Sequence, residues 1–198
     1  MNKPANWAFI PIALIVIIVG FLSMGYYNTI QGLAEKQNAT AAEIINQYQR
    51  RADLITNLAN TVKGYSNHEQ SIFTDIADSR AKLGSMQINP DDFKDPAKLE
   101  AYEDAQQTLQ SQLSKLMVIV ENYPDLKASN LYQNLMVQLE GTENRVAVAR
   151  NRNIEAVREY NTLIRRFPYV LLAKVLGYSP LPQMSATPGI EQAPVISF

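Results

Sequence analysis

The sequence predicts an all-α protein, with an N-terminal transmembrane helix followed by an antiparallel up-and-down bundle of three to four long helices. The chain opens with an uncharged apolar run over residues 7–24. Beyond it, apolar residues recur every three or four positions, which is the spacing of one helix face. No segment alternates apolar and polar residues as a half-buried strand would. Short connections between the periodic segments make neighbouring helices antiparallel.

The chain divides into three parts on this pattern. Residues 1–27 are predicted to be a transmembrane anchor, residues 28–168 the helical bundle, and residues 169–198 an apolar segment and an extended tail. A length of 198 residues suits one domain plus an anchor.

Charge and cysteine content exclude several classes of function. The chain carries 18 basic and 19 acidic residues, for a formal net charge of −1, so no basic face for a nucleic-acid partner is expected. It contains no cysteine, which excludes disulfides, thiolate metal sites and cysteine nucleophiles. We therefore expect no nucleic-acid partner. We also expect no cofactor.

The apolar run is predicted to cross the membrane once. At about 1.5 Å per residue it is close to the roughly 30 Å of a bilayer core. Aromatic residues stand at both of its ends, where interfacial aromatics are common. The residues assigned to the span and its borders are Trp7, Ile15, Val19, Met24, Tyr26 and Tyr27.

A cleaved signal peptide is the alternative reading of this segment. Ser23 and Gly25 would then precede a cut before Tyr26. The apolar run is longer than a typical signal core, and its basic leader consists of Lys3 alone, so we favour the uncleaved span. The few basic residues on either side leave both membrane orientations open.

The first bundle helix is predicted to continue straight from the span, since no proline interrupts it. Gly64 marks a bend or an end, so residues 67–83 are either a continuation or a second helix. Gly84 is predicted to cap that segment. The expected buried positions of the first helix are Ala41, Ile44, Tyr48, Ala52, Ile55, Ala59, Val62 and Tyr65.

Proline and capping residues delimit two further long helices. Asp95-Pro96 predicts a helix start, and Tyr123-Pro124 predicts its end. Ser129 or Asn130 caps the next helix, which breaks at Phe167-Pro168. The expected buried positions are Leu99, Tyr102, Ala105, Leu109, Leu113, Leu116 and Val120, then Leu131, Leu135, Leu139, Thr142, Val146, Ala149, Asn153, Ala156, Tyr160 and Leu163.

The apolar segment Tyr169–Gly177 has three possible roles. It could lie on the membrane surface, form an oligomer contact, or fold back to close the end of the bundle. Residues 178–198 carry four prolines and are predicted to form an extended, mobile tail.

Several sequence blocks, in order, resemble the LemA family over nearly the whole chain. The blocks are Arg50–Ile55, Asn57–Leu58, Val62–Tyr65, His68–Glu69, Glu121–Ala128, Leu139–Arg145, Ala149–Arg150, Tyr160–Asn161, Arg166–Pro168 and Ala193–Phe198. This resemblance implies a single-pass bacterial membrane protein with an antiparallel helical bundle, and it implies no enzymatic activity.

The chain departs from the family pattern at three places. Thr56 stands where the family usually has proline, which favours an unbroken first helix. Ala41 stands where tryptophan is common, and Asn153-Ile154 replaces a typical Tyr-Asn pair. The loss of two aromatics predicts a slimmer core there, or a face covered by a partner.

A dense group of charged residues is the main candidate site. We interpret it as a structural ion-pair network between helices; partner binding or a metal held by Glu140 and Glu143 is the alternative. Di-iron bundles require a Glu-x-x-His motif, which is absent. The network residues are Arg51, Asp53, Glu140, Glu143, Arg145 and Arg150.

The lone histidine gives little support for catalysis. His68-Glu69 lacks the second histidine of a zinc-protease helix, since Ile72 occupies that position. A single histidine can act as a general base, but near a helix break it more often has a structural role. We expect no catalytic residue and no metal site.

These observations favour a membrane-anchored, non-enzymatic scaffold that self-associates or recruits partners. We expect the lipid bilayer, further copies of the chain, and a membrane or periplasmic protein as partners. The expected location is the bacterial inner membrane, with the side of the bundle open. The alternative is a ligand- or metal-binding sensor that signals through its transmembrane helix.

Overall fold

The computed structural model describes residues 9–65 and 69–184, with only part of the side chains before residue 23. Within these ranges every regular element is a helix, so the all-α prediction is confirmed. The elements are α1 (Phe9–Lys63), α2 (Gln70–Ser85), a 3-10 helix (Pro90–Lys94), α3 (Pro96–Val120), α4 (Pro124–Lys127), α5 (Asn130–Arg165) and α6 (Tyr169–Leu176).

Helix α1 is a single unbroken helix of 55 residues. Thr56 lies within it, and its hydroxyl donates to the carbonyl oxygen of Ala52 at 2.8 Å. A proline at this position would lack the backbone N–H and clash with the preceding turn. The uninterrupted first helix predicted from Thr56 is therefore confirmed.

Helices α1 and α5 form the central antiparallel pair. Lys36 of α1 pairs with Glu159 of α5 at 2.6 Å, and Glu43, further along α1, pairs with Arg152 at 2.7 Å. The partner number falls as the α1 number rises, which is the register of two helices running in opposite directions.

Helices α2 and α3 form a second antiparallel pair that packs against α1. Asp53 contacts Arg80 of α2 at 2.6 Å, and Val62 at the far end shares a core cluster with Ile72. Residues 70–83 thus belong to a second, antiparallel helix rather than to a continuation of α1, and residues 67–68 lie outside the described part. Helix α3 then runs parallel to α1, so α1, α2, α3 and α5 alternate in direction.

The predicted apolar faces are largely buried. All seven predicted positions of α3 are buried, as are those of α1 from Ala41 to Val62. Tyr65 is exposed because α1 ends at Lys63. Leu131 is also exposed, because the neighbouring Tyr132 points inward instead and its hydroxyl lies 3.8 Å from the sulfur of Met117.

Most helix boundaries follow the predicted capping chemistry. The Asp95 carboxylate accepts hydrogen bonds from the backbone N–H groups of Ala97 and Lys98. Ser129 accepts one from Tyr132. These side chains satisfy backbone donors that have no partner inside the helix.

The predicted glycine cap at Gly84 is wrong. Gly84 lies inside α2, which continues to Ser85. The left-handed residue after this helix is Gln87, with φ 44°. A glycine costs only about 1 kcal/mol inside a helix, so its presence alone does not end one.

The chain after α5 folds back onto the base of the bundle, the end built by Ile30, Tyr160, Ile164 and Ala173. The side-chain amide of Asn161 accepts a hydrogen bond from Leu181 N–H at 2.8 Å and donates one to the Leu181 carbonyl at 2.9 Å. Met184 is buried in the middle of the bundle, in the cluster that holds Ala41. Residues 178–184 have no regular secondary structure, as expected of an extended segment, but they pack against the bundle instead of forming a free tail. Residues 185–198 lie outside the described part.

The N-terminal third of α1 stands apart from the bundle. Every residue from 11 to 25 whose burial is described is exposed, except Ser23. Met24 and Tyr27 are exposed, whereas Tyr26 contacts Tyr169 of α6. Trp7 lies outside the described residues, as do the side chains of Ile15 and Val19.

The structure does not confirm a membrane span over residues 7–24. Over the described residues, none of the helices combines the length and mean hydropathy that crossing a bilayer requires.

Candidate functional site: a buried polar layer and the cleft beside it

Arg51 of α1 is the one charged residue that is buried among those the structure describes, with 6% of its surface exposed. Its Nη2 donates to Oε1 of Gln106 at 2.6 Å and to the Gln106 backbone oxygen at 3.3 Å. Its Nη1 lies 3.5 Å from Oε1 of Gln110. The guanidinium therefore replaces its lost hydration mainly with oxygens of α3.

An acidic residue of α5 and an aromatic ring of α1 complete the surroundings of Arg51. Glu143 places Oε2 3.5 Å from Nη1 of Arg51, and its side chain remains 36% exposed. The guanidinium carbon lies 4.8 Å from the centre of the Tyr48 ring, within cation–π range. One cation thus contacts three helices at the same level of the bundle.

A second charged pair is joined to this layer through Tyr48. The Tyr48 hydroxyl accepts a 2.6 Å hydrogen bond from Nη1 of Arg150. Nη2 of Arg150 lies 3.0 Å from Oε1 of Glu103, and both side chains are largely buried. The Arg51 and Arg150 contacts therefore form one continuous polar layer across α1, α3 and α5.

Tyr102 packs against this layer from α3. Its ring lies edge-on to Tyr48 at 5.7 Å. Burial raises the pKa of Tyr102 to about 12, while a hydrogen bond with Gln106 acts in the opposite direction. Tyr102 is therefore a neutral phenol near pH 7, and it contributes to the layer by packing and hydrogen bonding.

A cleft of about 300 Å³ opens beside the polar layer, between α1, α2 and α3. Its size is at the lower end of the range for small-molecule pockets. The exposed Asp53–Arg80 pair lies at its edge. The cleft is lined by Ile45, Tyr48, Gln49, Ala52, Asp53, Arg80, Leu83, Gly84, Gln87, Ile88, Tyr102 and Gln106. Such a lining can accept a small ligand with an apolar body and a polar end.

The structure brings together some of the predicted network residues and separates others. Arg51 contacts Glu143, and Arg150 joins them through Tyr48. Asp53 instead faces α2 and pairs with Arg80.

Glu140 and Arg145 are exposed and belong to none of the ion pairs found in the described ranges. Arg145 follows Glu143 by two residues, which turns it roughly 200° around the helix. It therefore points away from the layer.

Sequence reasoning missed the partners that α3 supplies. Gln106 lies next to the apolar stripe of α3, and Glu103 follows Tyr102 directly, so neither stands out from the pattern. Tyr48 and Tyr102 are core residues, as predicted. Their contacts within the layer that holds Arg51 and Arg150 were not predicted. The only available signal was the four-residue spacing of Tyr102 and Gln106, which puts them on one face.

Metal binding finds little support in these side chains. Over residues 9–65 and 69–184, no group of three or more His, Cys, Asp or Glu residues is arranged to hold a metal ion. His68 lies outside the described residues.

A profile of the LemA family matches residues 40–198. Magnetosome protein MamQ 2 of Paramagnetospirillum magneticum is 27% identical over 188 residues, covering 84% of this chain and 69% of that protein. Magnetosome protein MamQ of Magnetospirillum gryphiswaldense is 26% identical over 168 residues, covering 77% and 62%. Protein LemA of Metamycoplasma hominis is 31% identical over 134 residues, covering 67% and 56%.

The family profile spans α1 from Thr40 onward and everything that follows it in the chain. The resemblance drawn from the sequence blocks is thereby confirmed. The chain belongs to the LemA family.

Proposed function

We propose that this chain is a membrane-anchored, non-enzymatic scaffold that self-associates or recruits protein partners at the bacterial inner membrane. The observation that carries the proposal is the continuity of α1. One helix of 55 residues presents exposed apolar side chains over its first third and forms the centre of the bundle over the rest. A rigid helix of this kind holds the bundle at a fixed place above a membrane surface.

Exposed apolar residues of the first third support attachment to lipid. In water they would be a large uncovered hydrophobic surface, which soluble monomers rarely carry. In a bilayer the same side chains are in a favourable solvent. The exposed residues are Leu14, Ile17, Ile18, Phe21 and Met24.

The hydrogen-bond partners of Arg51 and Arg150 support a structural rather than a catalytic role for the polar layer. Arg51 and Arg150 are hydrogen-bonded to side chains of other helices, and these contacts lock the helix register. A catalytic acid or base would instead point toward a space that a substrate can enter. The names of the MamQ relatives refer to the magnetosome and not to an enzymatic reaction.

Membrane attachment is tested on the full-length chain by washing isolated membranes with alkaline carbonate. We expect the wild type to stay with the membranes and Ile17→Arg/Phe21→Arg to be released, because each arginine at mid-span costs about 3 kcal/mol. Val118→Arg/Val137→Arg, at exposed sites of the bundle, is the matched control. Release of the wild type, or equal retention of both double variants, contradicts the anchor.

Intact mass of the purified protein tests the signal-peptide alternative. We expect a mass that includes residue 1. A mature chain that starts at Tyr26 would contradict the anchor, because the apolar first third would then be missing from the membrane-bound protein.

Self-association is tested by electron microscopy and light scattering of the detergent-extracted full-length chain. We expect assemblies larger than one chain, and a change in their size when residues after Phe167 are deleted. Single chains in both samples would contradict the scaffold.

A small-molecule sensor is the second candidate, favoured by the cleft beside the polar layer. A cleft ligand would raise the unfolding temperature of the full-length chain. Gly84→Phe should abolish that rise, since Gly84 lines the cleft and has free space for a side chain. Gly32→Phe, at another open glycine, is the control, and elemental analysis of the purified protein tests for a metal.

A further inference from the structure

We infer that the outer face of α6 is a second membrane contact, which lies in the headgroup region of an anionic bilayer beside the point where α1 enters it. This inference rests on the proposed anchor and adds a surface to it. It also assigns one occupant, phospholipid, to an apolar face that no described element covers.

Helix α6 is fixed at the level where α1 leaves the bundle. Its buried face contributes Ala173 to the cluster of Ile30, Tyr160 and Ile164 at the base of the bundle. The rings of Tyr26 and Tyr169 lie 4.5 Å apart. Helix α6 is therefore held directly beside the apolar first third of α1, whatever surrounds that segment.

The opposite face of α6 is apolar and exposed. Val175 is 83% exposed and Leu171, one turn earlier, is 58% exposed. Phe167, just before the helix, and Leu176, in its last turn, are exposed apolar residues as well. Burying such side chains in the acyl-chain boundary removes them from water and is the usual way an interfacial helix binds.

Tyrosines of α1 and of the C-terminal segment lie together where α1 leaves the bundle. Tyr26 meets Tyr169, and Gln31 donates to the hydroxyl of Tyr178 at 2.5 Å. Burial raises the pKa of Tyr178, and the neighbouring Tyr27 raises it further. Four tyrosines from both ends of the chain thus share one level, as aromatic residues do at a membrane–water interface.

The charged residues next to α6 in the sequence are all basic. Between Glu159 and Glu191 the chain carries Arg165, Arg166 and Lys174 and no acidic residue. All three basic residues are exposed. A surface with apolar centre and basic surroundings is complementary to anionic phospholipid, whose phosphates attract lysine and arginine.

A second copy of this chain is a less suitable occupant. A symmetric dimer through α6 would place the same patch against itself and bring the three cations of each copy together without a countercharge. The lipid surface supplies that countercharge.

The test uses the absence of cysteine from the chain. The full-length Val175→Cys variant carries an environment-sensitive nitrobenzoxadiazole label and is placed in nanodiscs of equimolar phosphatidylcholine and phosphatidylglycerol. A nitroxide on the upper acyl chain of the lipid quenches labels that touch it. Val118→Cys, 70% exposed at the far end of α3, is the control site.

We expect the Val175 label to emit at shorter wavelength and to be quenched at least about twofold more than the Val118 label. The difference should shrink in pure phosphatidylcholine, because the headgroups then carry no net charge. A water-like spectrum at Val175 overturns the inference. A blue shift without lipid quenching also overturns it, since that result indicates a protein partner.

A second variant separates this inference from the anchor. Leu171→Glu/Val175→Glu in the full-length chain should still float with vesicles, because α1 holds it. A label at Phe167→Cys should be quenched by lipid in the otherwise unchanged chain. The same label should lose that quenching in the variant with the two glutamates. Unchanged quenching overturns the α6 contact alone, whereas loss of flotation by the wild type overturns the anchor.

Discussion

Arg51 of α1 donates a 2.6 Å hydrogen bond to Oε1 of Gln106 on α3, and both side chains are buried. The two residues are 55 positions apart in sequence. This contact joins the central α1–α5 pair to α3 at one defined register. It also makes each residue depend on the other, since a buried polar group without a partner is costly.

Replacing Arg51 by alanine should destabilise the bundle by about 1–3 kcal/mol, because Gln106 loses its charged partner in the interior. Arg80→Ala, which breaks the exposed pair with Asp53, should cost less than about 1 kcal/mol. Denaturant unfolding of the full-length chain in mild detergent measures both. Equal losses would show that the Arg51–Gln106 contact does not stabilise the fold. The double change Arg51→Met/Gln106→Leu should recover part of the loss.

Tyr102 predicts a decrease in stability at alkaline pH. Its pKa is about 12 in the folded protein and near 10 in an unfolded chain. The neutral form is therefore favoured by folding, and this contribution is complete below pH 10 and lost as pH rises toward 12. Between pH 9 and pH 11 the loss amounts to about 1 kcal/mol.

Tyr102→Phe should remove this part of the pH dependence. The measurement is the free energy of unfolding at both pH values, with each protein normalised to its own value at pH 7. Identical slopes for wild type and variant would refute the assignment to Tyr102.

Asn161 should hold the returning segment Tyr178–Met184 through its two hydrogen bonds to Leu181. Asn161→Ala should speed hydrogen exchange of the Leu181 amide by roughly tenfold, the effect of about 1.4 kcal/mol lost. Asn161→Asp keeps the acceptor and should give a smaller effect. Asn151→Ala, exposed on the same helix, is the control, and an equal exchange rate in it would contradict the role of Asn161.

Leu116 and Val118 provide a matched pair on α3. Leu116 is completely buried, and Val118 is among the most exposed apolar residues of the bundle. Leu116→Ala should cost about 2–5 kcal/mol, and Val118→Ala less than about 0.5 kcal/mol. Thermal unfolding followed by circular dichroism distinguishes the two. Similar costs at both positions would contradict the placement of the core face.

Local chemistry explains why most element boundaries were predictable. Asp95-Pro96 and Ser129 act through backbone groups two or three residues away, so the sequence contains both partners of each contact. The buried stripe of α3 was likewise predictable because helical periodicity alone defines it. Errors appeared at helix ends: α1 ends before Tyr65, and Tyr132 points inward instead of the neighbouring Leu131. One residue more or less rotates a side chain by about 100° around the helix.

The candidate site was less predictable. The charged block on α5 drew attention to Glu140 and Arg145, yet neither contributes to the polar layer. The main residues that α3 contributes to the polar layer, Gln106 and Glu103, lie within an ordinary amphipathic pattern. Which polar residue meets Arg51 depends on how far α3 slides along α1, and no local pattern fixes that distance.

The sequence by itself determined the long helices, most of their boundaries and most of their buried faces, because each depends on residues within a few turns. Only the tertiary structure decided the partner of Arg51, the burial of Met184 and the docking of α6 beside Tyr26. These contacts join residues far apart in the chain, such as Gln31 and Tyr178, which are 147 positions apart. They depend on the relative shift and rotation of packed helices, which side-chain packing across the whole bundle sets.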